Sequence, residues 1–338
     1  MSDPSPPDPP AQPSPTAPKR HPILPMVLVG VAVLLVAAIG LGVLYVFSID
    51  RSVTKNINRQ STLPTSGTSP RPAKDAAAPG ALDFVLLGSD SRDLDDSGNG
   101  RSDSILVAHL NAKRDKAYLI SFPRDMWVTV PGHGKNKINA AFAFGGPALT
   151  VSTLEELTDV RMDHVVLVDF EGFIQLTEDL DGVTVTNKNA FTSHGFNYPK
   201  GEITIQGEEA LWFVRERKAL PRGDFDRAEN QRNVVKAIVS KGLSGGTLAD
   251  PARFLAFISS LSHHLTIDQD LTNGKIRSTA LSLRLTGSDI QLLQAPISGT
   301  STINGQSVDT VDKPKMAELA SALKKDTMAE YMQKYPEG

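Results

Sequence analysis

The chain has 338 residues, with 35 Lys and Arg against 38 Asp and Glu and a formal charge of −3 at pH 7. This near-neutral balance excludes nucleic acid as a partner held by bulk electrostatic attraction. The absence of cysteine excludes disulfide scaffolds, cysteine-ligated zinc, iron–sulfur clusters and thiol catalysis.

The first 48 residues combine a polar tail with one long apolar segment. Residues 1–22 are rich in Pro, Ser and Asp, which predicts a disordered tail. Met26–Phe47 then runs for 22 residues without a charge. At about 1.5 Å per residue this run spans a hydrocarbon core of about 30 Å, so residues 23–48 are expected to form a transmembrane helix. A cleaved signal peptide, the alternative, would have a shorter apolar region and a small-residue cleavage site.

Residues 49–80 are rich in Ser, Thr, Pro, Ala and Gly, and this composition predicts a linker. The basic residues that flank the apolar segment do not fix its orientation, because they occur on both sides of it. They are Lys19 and Arg20 before it, and Arg51, Lys55 and Arg59 after it.

Residues 81–338 are expected to fold as one domain in which short apolar strands alternate with amphipathic helices. The predicted strands are 83–88, 104–110, 116–122, 164–170 and, more weakly, 203–206. The predicted helices are 145–158, 170–180, 226–241, 251–265 and 313–325. This alternation predicts a layered α/β (α+β) domain with a mixed central β-sheet flanked by helices.

The first polar cluster, GSDSRDLDDSGNGRSDS at 88–104, lies between two predicted strands, where binding residues often occur. Its acids have part of the spacing of a calcium loop, but the twelfth position is Ser104 and not a glutamate. An EF-hand is therefore rejected, while binding of a hard cation stays open. Asp90 and Asp103 adjoin the strand ends, whereas Asp93, Asp95 and Asp96 fit a solvated loop better.

The second cluster, residues 121–146, follows the strand 116–122. Arg124 and Asp125 come directly after it, which places them at an edge of the sheet. Lys135, Lys137 and Asn139 follow in a glycine-containing loop. Taken alone, this pattern is more typical of a charged turn without a ligand.

The third cluster, residues 214–243, concentrates arginine. If 213–218 is extended, Arg215 and Arg217 point to the same face. On the helix 226–241, Arg227 and Gln231 fall in one stripe with Val234 and Ile238. The opposite side of that helix holds Glu229, Arg232, Asn233, Lys236 and Ser240.

Arg227 on an apolar stripe needs a partner, because burying an unpaired guanidinium is costly. One alternative is an internal ion pair with Asp224. The other is an anionic ligand, since several arginines with carboxylates are typical of a phosphate or pyrophosphate site that holds a divalent metal. The sequence lacks the P-loop, dinucleotide-binding, GxSxG and HExxH signatures, and its seven histidines have no metal-ligand spacing.

Several of these motifs, in the same order, resemble the LytR-CpsA-Psr (LCP) family of cell-wall glycopolymer ligases, found mainly in Gram-positive bacteria. The resemblance covers roughly residues 82–243. It rests on FVLLGSDSR, GRSDSILVAHLN, ISFPRDMWVTVPG, KINAAFAFGGP, DHVVLVDFEGF, and VRERK followed by GDFDRAENQ.

The resemblance implies a phosphotransferase that moves a glycopolymer from a polyprenyl-(pyro)phosphate carrier, whose lipid tail enters an apolar tunnel, to a peptidoglycan hydroxyl. It also implies a single-pass protein of the cell membrane with a cytoplasmic N-terminus and an extracytoplasmic catalytic domain. By the same resemblance Asp90 and Asp103 would hold Mg²⁺ (or Mn²⁺). The phosphates would be bound by Arg92, Arg101, Arg124, Lys137, Arg215, Arg217, Arg227 and Gln231. Lys137, Asn139 and Asp224 are further candidates for positioning or proton removal, and catalysis would centre on Asp90, Asp103, Arg101, Arg227 and Asp224.

The chain departs from the family where members often carry Arg-Gln-Gln, since Asn230, Gln231 and Arg232 stand there. The helical stripe predicts that Gln231 faces inward and Arg232 outward. Residues 244–338 carry none of the motifs and are expected to close the domain. Their apolar residues could wall a lipid tunnel or form plain core: Phe254, Leu255, Phe257, Ile258 and Leu261. Two alternatives to the ligase remain, a polyprenyl-pyrophosphate hydrolase and a non-catalytic lipid-carrier binding or regulatory protein.

Overall fold

The computed structural model describes residues 57–65, 71–89, 102–248 and 250–336. The apolar segment 26–47 lies outside the described residues. Within them, no helix combines the length and the apolar character needed to cross a bilayer.

Fifteen strands occur in the described part of the chain. In chain order, β1 to β15 are Asn58–Gln60, Leu82–Ser89, Ser102–Leu110, Ala117–Ser121, Trp127–Val130, Gly134–Lys137, His164–Asp169, Val183–Asn187, Phe191–Ser193, Phe196–Tyr198, Gly201–Ile205, Thr266–Asp268, Ile290–Gln294, Ile297–Ile303 and Gln306–Val311. Seven of them form the central sheet in the order β1-β12-β7-β2-β3-β4-β13, and the others pair as two-stranded ribbons. The sheet is mixed, as predicted, since β2 pairs with β7 in parallel and with β3 antiparallel.

Nine α-helices occur in the same described residues. In chain order, α1 to α9 are Ala140–Thr158, Phe170–Asp179, Gly207–Arg215, Asp224–Gly242, Gly245–Leu248, Pro251–His264, Asn273–Ser282, Lys313–Lys325 and Met328–Lys334. Side chains cap several helices. Asp169 accepts from the backbone N–H of Gly172 in α2, and Asp250 and Asp312 accept from the first turns of α6 and α8.

The sheet is buried on both faces, so its strands are apolar at consecutive positions rather than at alternate ones. Val85 and Leu87 point into a core shared with α1, α8 and α9. Leu86, between them, points to the opposite face, which is covered by α2, α4 and α6. The fold is therefore the predicted sheet flanked by helices.

One edge of the sheet collects the chain segments that carry the polar clusters. The carboxyl ends of β2 and β7 lie side by side, with Ser89 paired to Asp169. The amino end of β3 pairs with β2 through Gly88 and Ser104. Strand β4 runs antiparallel to β3 and ends at Ser121 on the same edge, so Arg124 follows there.

The five predicted helices and the predicted strands are confirmed, with an earlier start for the first helix, whereas the extended conformation supposed for 213–218 is wrong. Helix α1 begins at Ala140, earlier than the predicted 145, and it is interrupted at Gly145 and Gly146, where Gly146 has φ of 61°. The segment 213–218 is not extended, because α3 continues to Arg215. The sequence also gave no signal for Asn58–Gln60, inside the expected linker, which pairs with β12 at the edge of the sheet.

Candidate active site

A cavity of about 470 Å³ lies between the central sheet and the helices α2, α4 and α6. Helix α4 runs along its length, and Arg227, Gln231, Val235 and Val239 contribute to its wall. Arg227 and Val239 are twelve residues apart, so the cavity extends for about 18 Å along the helix. The predicted stripe of Arg227, Gln231, Val234 and Ile238 is confirmed, because all four residues line the cavity.

Four arginines line the cavity: Arg124, Arg215, Arg217 and Arg227. Arg227 is only 5% exposed, and its Nη2 lies 2.7 Å from Oδ1 of Asp224. The same carboxylate oxygen lies 3.4 Å from Nε of Arg124. The internal ion pair with Asp224 is thus present, and Asp125 also lies 3.7 Å from Nε of Arg124. Four arginines around one cavity, beside the N-terminus of α4, favour an anionic ligand.

Arg215 is held by two aromatic rings. Its guanidinium carbon lies 4.3 Å from the ring centroid of Phe170 and 5.0 Å from that of Trp212. A guanidinium stacked on aromatic faces keeps its N–H edges available for hydrogen bonds in its own plane. Phe170 also lines the cavity, so stacking on its ring holds the guanidinium of Arg215 at the cavity wall.

Two backbone carbonyls at the end of α3, next to Arg215, accept hydrogen bonds from amides on α4. Asn230 donates to the carbonyl of Phe213 at 3.4 Å, and Gln231 donates to the carbonyl of Val214 at 3.2 Å. The Gln231 side chain therefore faces inward as predicted. Its Nε2 is engaged by the protein backbone, which gives this residue a positioning role for the segment that carries Arg215.

The part of the cavity away from the arginines is apolar. Its aliphatic lining from α4 and α6 consists of Val234, Val235, Ile238, Val239, Leu261 and Leu265. Of the five residues that the sequence offered as tunnel wall or plain core, Leu261 is among the lining residues, while Phe257 packs beside it against a buried cluster. An arginine-lined end and an aliphatic end match a ligand with an anionic head and a hydrocarbon tail.

The prediction that Arg232 faces outward is wrong. Arg232 is buried and its guanidinium hydrogen-bonds to Ser121 at the end of β4. The helical wheel failed because α4 is covered on more than one side, by the cavity and by the sheet. Burial lowers the pKa of Arg232 to about 10, against the opposing effect of Glu229.

Lys137 does not line the cavity, contrary to its predicted place among the phosphate-binding residues. It lies on β6, and its Nζ contacts Oδ1 of Asp125 at 2.7 Å. Asp125 in turn adjoins Arg124, with 3.7 Å between Oδ2 and Nε. Lys137 is therefore connected to Arg124 through the carboxylate of Asp125. Asn139 is buried directly before α1, and its backbone N–H donates to the carbonyl of Arg124.

Two acids that the sequence analysis missed lie at this site. Asp169 ends β7 and is part of the cavity wall, and its position after an apolar strand was the signal that could have found it. Asp309, on β15, is 8% exposed, and its backbone N–H donates to the carbonyl of Asp125 at 2.9 Å. Burial, with the charges of Asp125 and Asp224, raises the pKa of Asp309 to about 6.

Comparison with known proteins identifies the family. The LytR_cpsA_psr family model matches residues 44–325. The chain belongs to the LytR-CpsA-Psr (LCP) family.

Two relatives carry the description polyisoprenyl-teichoic acid–peptidoglycan teichoic acid transferase TagU. The chain is 34% identical to the one from Oceanobacillus iheyensis over 231 residues, which cover 67% of this chain and 69% of the relative. It is 31% identical to the one from Bacillus licheniformis over 284 residues, covering 82% and 85% of the two chains. The solved structure of TagT bound to LIIa-WTA has 27% identity and a TM-score of 0.60, and the match covers 79% of this chain and 99% of that one.

Four residues that the LCP resemblance implicated cannot be located in the cavity. Asp90, Arg92 and Arg101 lie outside the described residues, as does the side chain of Asp103. The backbone of Asp103 belongs to β3, next to Ser102, which pairs with Ser89. Asp90 directly follows Ser89 in the chain. Among the described residues, no group of three acids or histidines could hold a metal ion.

Proposed function

We propose that this LCP chain transfers a glycopolymer from a polyprenyl-(pyro)phosphate carrier to a hydroxyl of peptidoglycan. The observation that carries the proposal is the cavity along α4, which joins four arginines to an aliphatic channel. A carrier of this chemistry has the same two parts, a doubly charged pyrophosphate and a long hydrocarbon chain. The relatives named as teichoic acid transferases support the same class of reaction.

In this proposal the arginines hold the pyrophosphate and the apolar lining holds the isoprenoid. The hydroxyl oxygen of the acceptor forms a bond to the phosphorus that bears the glycan, and the bridging P–O bond to the carrier phosphate breaks. Polyprenyl phosphate departs with the bridging oxygen, and the hydroxyl proton passes through water to this departing phosphate. Arg227 and Arg124 neutralise the negative charge that grows on the phosphate oxygens, which stabilises the transition state more than the bound substrate.

The proposal includes Mg²⁺, for which Asp90 and Asp103 are the candidate ligands. Carboxylate oxygens suit this ion, and a bound Mg²⁺ would neutralise phosphate charge and polarise the phosphorus centre. The backbone arrangement supports this assignment, because Ser89 and Ser102, the immediate neighbours of the two acids, pair at the edge of the sheet that carries Arg124. The remaining steps depend on the arginines and on the acceptor geometry alone.

The experiment uses the full chain in detergent micelles, a labelled glycan on a polyprenyl-pyrophosphate carrier, and peptidoglycan fragments as acceptor. Label that moves to peptidoglycan with Mg²⁺ and stays on the carrier with chelator is the expected result. Cleavage of the carrier without labelled acceptor would assign a hydrolase instead. Carrier that binds but is neither cleaved nor transferred would leave a binding protein.

The proposal also places residues 1–22 in the cytoplasm, residues 23–48 in the cell membrane as a single span, and the catalytic domain outside the cell. The support for it is the substrate, because peptidoglycan lies outside the membrane while the carrier lies within it. Protease treatment of intact cells tests this arrangement. We expect the catalytic domain to be degraded and an epitope on residues 1–22 to be protected, and the reverse pattern would refute the orientation.

A further inference from the structure

The apolar end of the cavity opens at the protein surface. Val239, the last residue of α4 in the cavity wall, is 37% exposed. One turn earlier, Val235 both lines the cavity and packs in a small cluster with Leu243 and Leu283. Leu283 therefore brings the segment 283–287 to the cavity wall at Val235, one turn of α4 from Val239.

Helix α7 directly precedes that segment and is barely packed on the protein. None of its ten residues is buried. Leu281 on this helix is 76% exposed, the most exposed large hydrophobic residue in the described part of the chain. Exposing a leucine to this extent costs hydrophobic free energy in water, and it indicates a docking surface together with the charge around it.

The charge on this segment is uniformly positive. Residues 273–288 contain Lys275, Arg277 and Arg284 and no acid, and all three cations are exposed. Arg277 and Leu281 are four residues apart, so they share one face of the helix, and Arg284 lies in the non-helical segment that follows it. Apolar and basic side chains on one exposed helical face are typical of segments that lie on an anionic bilayer.

We propose that α7 and the segment 283–287 contact the surface of an anionic lipid bilayer, with Leu281 inserted between the lipids and the basic residues on the head groups. This contact places the opening at Val239 against the membrane, so a lipid tail passes from the bilayer into the cavity without crossing water. The proposal rests on the proposed function for the nature of the tail. The surface itself rests on the exposure and charge of residues 273–287.

The test uses single cysteines, which the chain allows because it has none of its own. The full chain carrying Leu281→Cys is spin-labelled and reconstituted in nanodiscs of phosphatidylcholine and phosphatidylglycerol. The matched control is Phe144→Cys, at another exposed hydrophobic residue, 44% exposed, on α1. Electron paramagnetic resonance then compares collisions of each label with oxygen, which concentrates in lipid, and with a water-soluble nickel complex.

We expect the ratio of oxygen to nickel collisions to be severalfold higher at position 281 than at position 144. The double variant Lys275→Glu/Arg277→Glu should lower the ratio at 281 towards the control value. Equal ratios at the two positions would overturn the proposal. Transfer activity is measured on the same nanodiscs. Active enzyme with a water-exposed label at position 281 would refute the proposed membrane contact and leave the proposed transfer reaction standing. A lipid-immersed label without transfer would support the membrane contact and refute the transfer reaction.

Discussion

Arg227 has the charge, the burial and the position that binding of a phosphate requires. It is buried in the wall of the cavity, it contacts Asp224, and it lies in the first turns of α4. Arg227→Ala should lower transfer by about 10²–10³-fold, because the lost guanidinium stabilises charge that develops in the transition state. The label-transfer assay measures this loss.

The matched control is Lys236→Ala on the same helix, because Lys236 does not line the cavity. Its transfer rate should equal that of the unmodified chain. Circular dichroism of both variants shows whether α4 still forms. Normal transfer by Arg227→Ala would show that the arginine serves the fold alone and that the phosphates bind elsewhere.

The surroundings of Asp309 disfavour the ionised form of its carboxyl group. Its pKa is raised from 3.8 to about 6 by burial and by the charges of Asp125 and Asp224. The folded chain therefore binds this proton more tightly than the unfolded chain does. The contribution of Asp309 to the free energy of unfolding is therefore fully present below about pH 4 and is lost as the pH rises through 6.

Asp309→Asn should remove the loss of stability at higher pH, because asparagine does not ionise. We expect the variant to gain about 1 kcal/mol in the free energy of unfolding at pH 7.5, after allowance for solvent screening, and nothing at pH 4. Urea denaturation at the two pH values measures the difference. Asp270→Asn, at an exposed acid, is the control, and an equal gain from both variants would refute the assigned cause.

At the scale of elements, a buried histidine joins the sheet to the C-terminal helices. His109 on β3 contacts Asp83 on β2 at 2.9 Å and Asp326, which follows α8, at 3.1 Å. Burial opposes the positive charge of His109, but the hydrogen bonds to Asp326 and Asp83 prevail and raise its pKa to about 9. A protonated imidazole donates to both carboxylates.

His109→Ala should destabilise the chain by about 3–5 kcal/mol at pH 6, because it leaves Asp83 buried without its cation. The stabilisation by His109 is complete below pH 6.5 and is lost as the pH rises through 9. The variant should therefore lack the decline in stability that the unmodified chain shows between these values. Thermal unfolding from pH 6 to 10 tests this, with the exposed His263→Ala as a control that keeps the decline.

The helices and strands that the sequence predicted correctly are those with local signals. Helix α8 has Asp312 before it and Pro314 in its first turn, and α2 has Asp169 as its cap. Helix α3 was not predicted, because arginine alternates with other residues in VRERK at its end, and this alternation also fits an extended strand. Asn230 and Gln231, from the neighbouring α4, hold the carbonyls at the end of α3 and so fix where this segment ends.

The candidate site was predictable only where its residues share one segment. Arg227 and Gln231 lie on one helix, so a helical period was enough to place them on one face. Asp309 could not be found, because it reaches Asp125 from a strand 184 positions later in the chain, through a pairing that no local pattern encodes. Arg232 was misplaced because a single helical period cannot describe a helix covered on several sides.

At the scale of the whole molecule, the sheet separates two kinds of core. The side packed by α1, α8 and α9 is filled with side chains, whereas the side covered by α2, α4 and α6 keeps a cavity of about 470 Å³. Open apolar volume of this size costs stability unless a ligand fills it. We infer that the filled core on one face of the sheet stabilises the fold and that the cavity on the other face binds the ligand.

Leu261→Trp, on α6, should test whether the aliphatic end of the cavity holds a lipid tail. The indole would occupy space beside Val235 and Leu265, which line the same cavity. Transfer from a long polyprenyl carrier should fall at least about tenfold, since each buried methylene contributes about 0.8 kcal/mol of binding. Transfer from a carrier cut to one isoprene unit should not change, because its tail does not reach this depth. Ala256→Trp, at an exposed position of the same helix, should transfer both carriers normally. Equal loss with both carriers in Leu261→Trp would mean that the substitution damages the site itself and that the tail lies elsewhere.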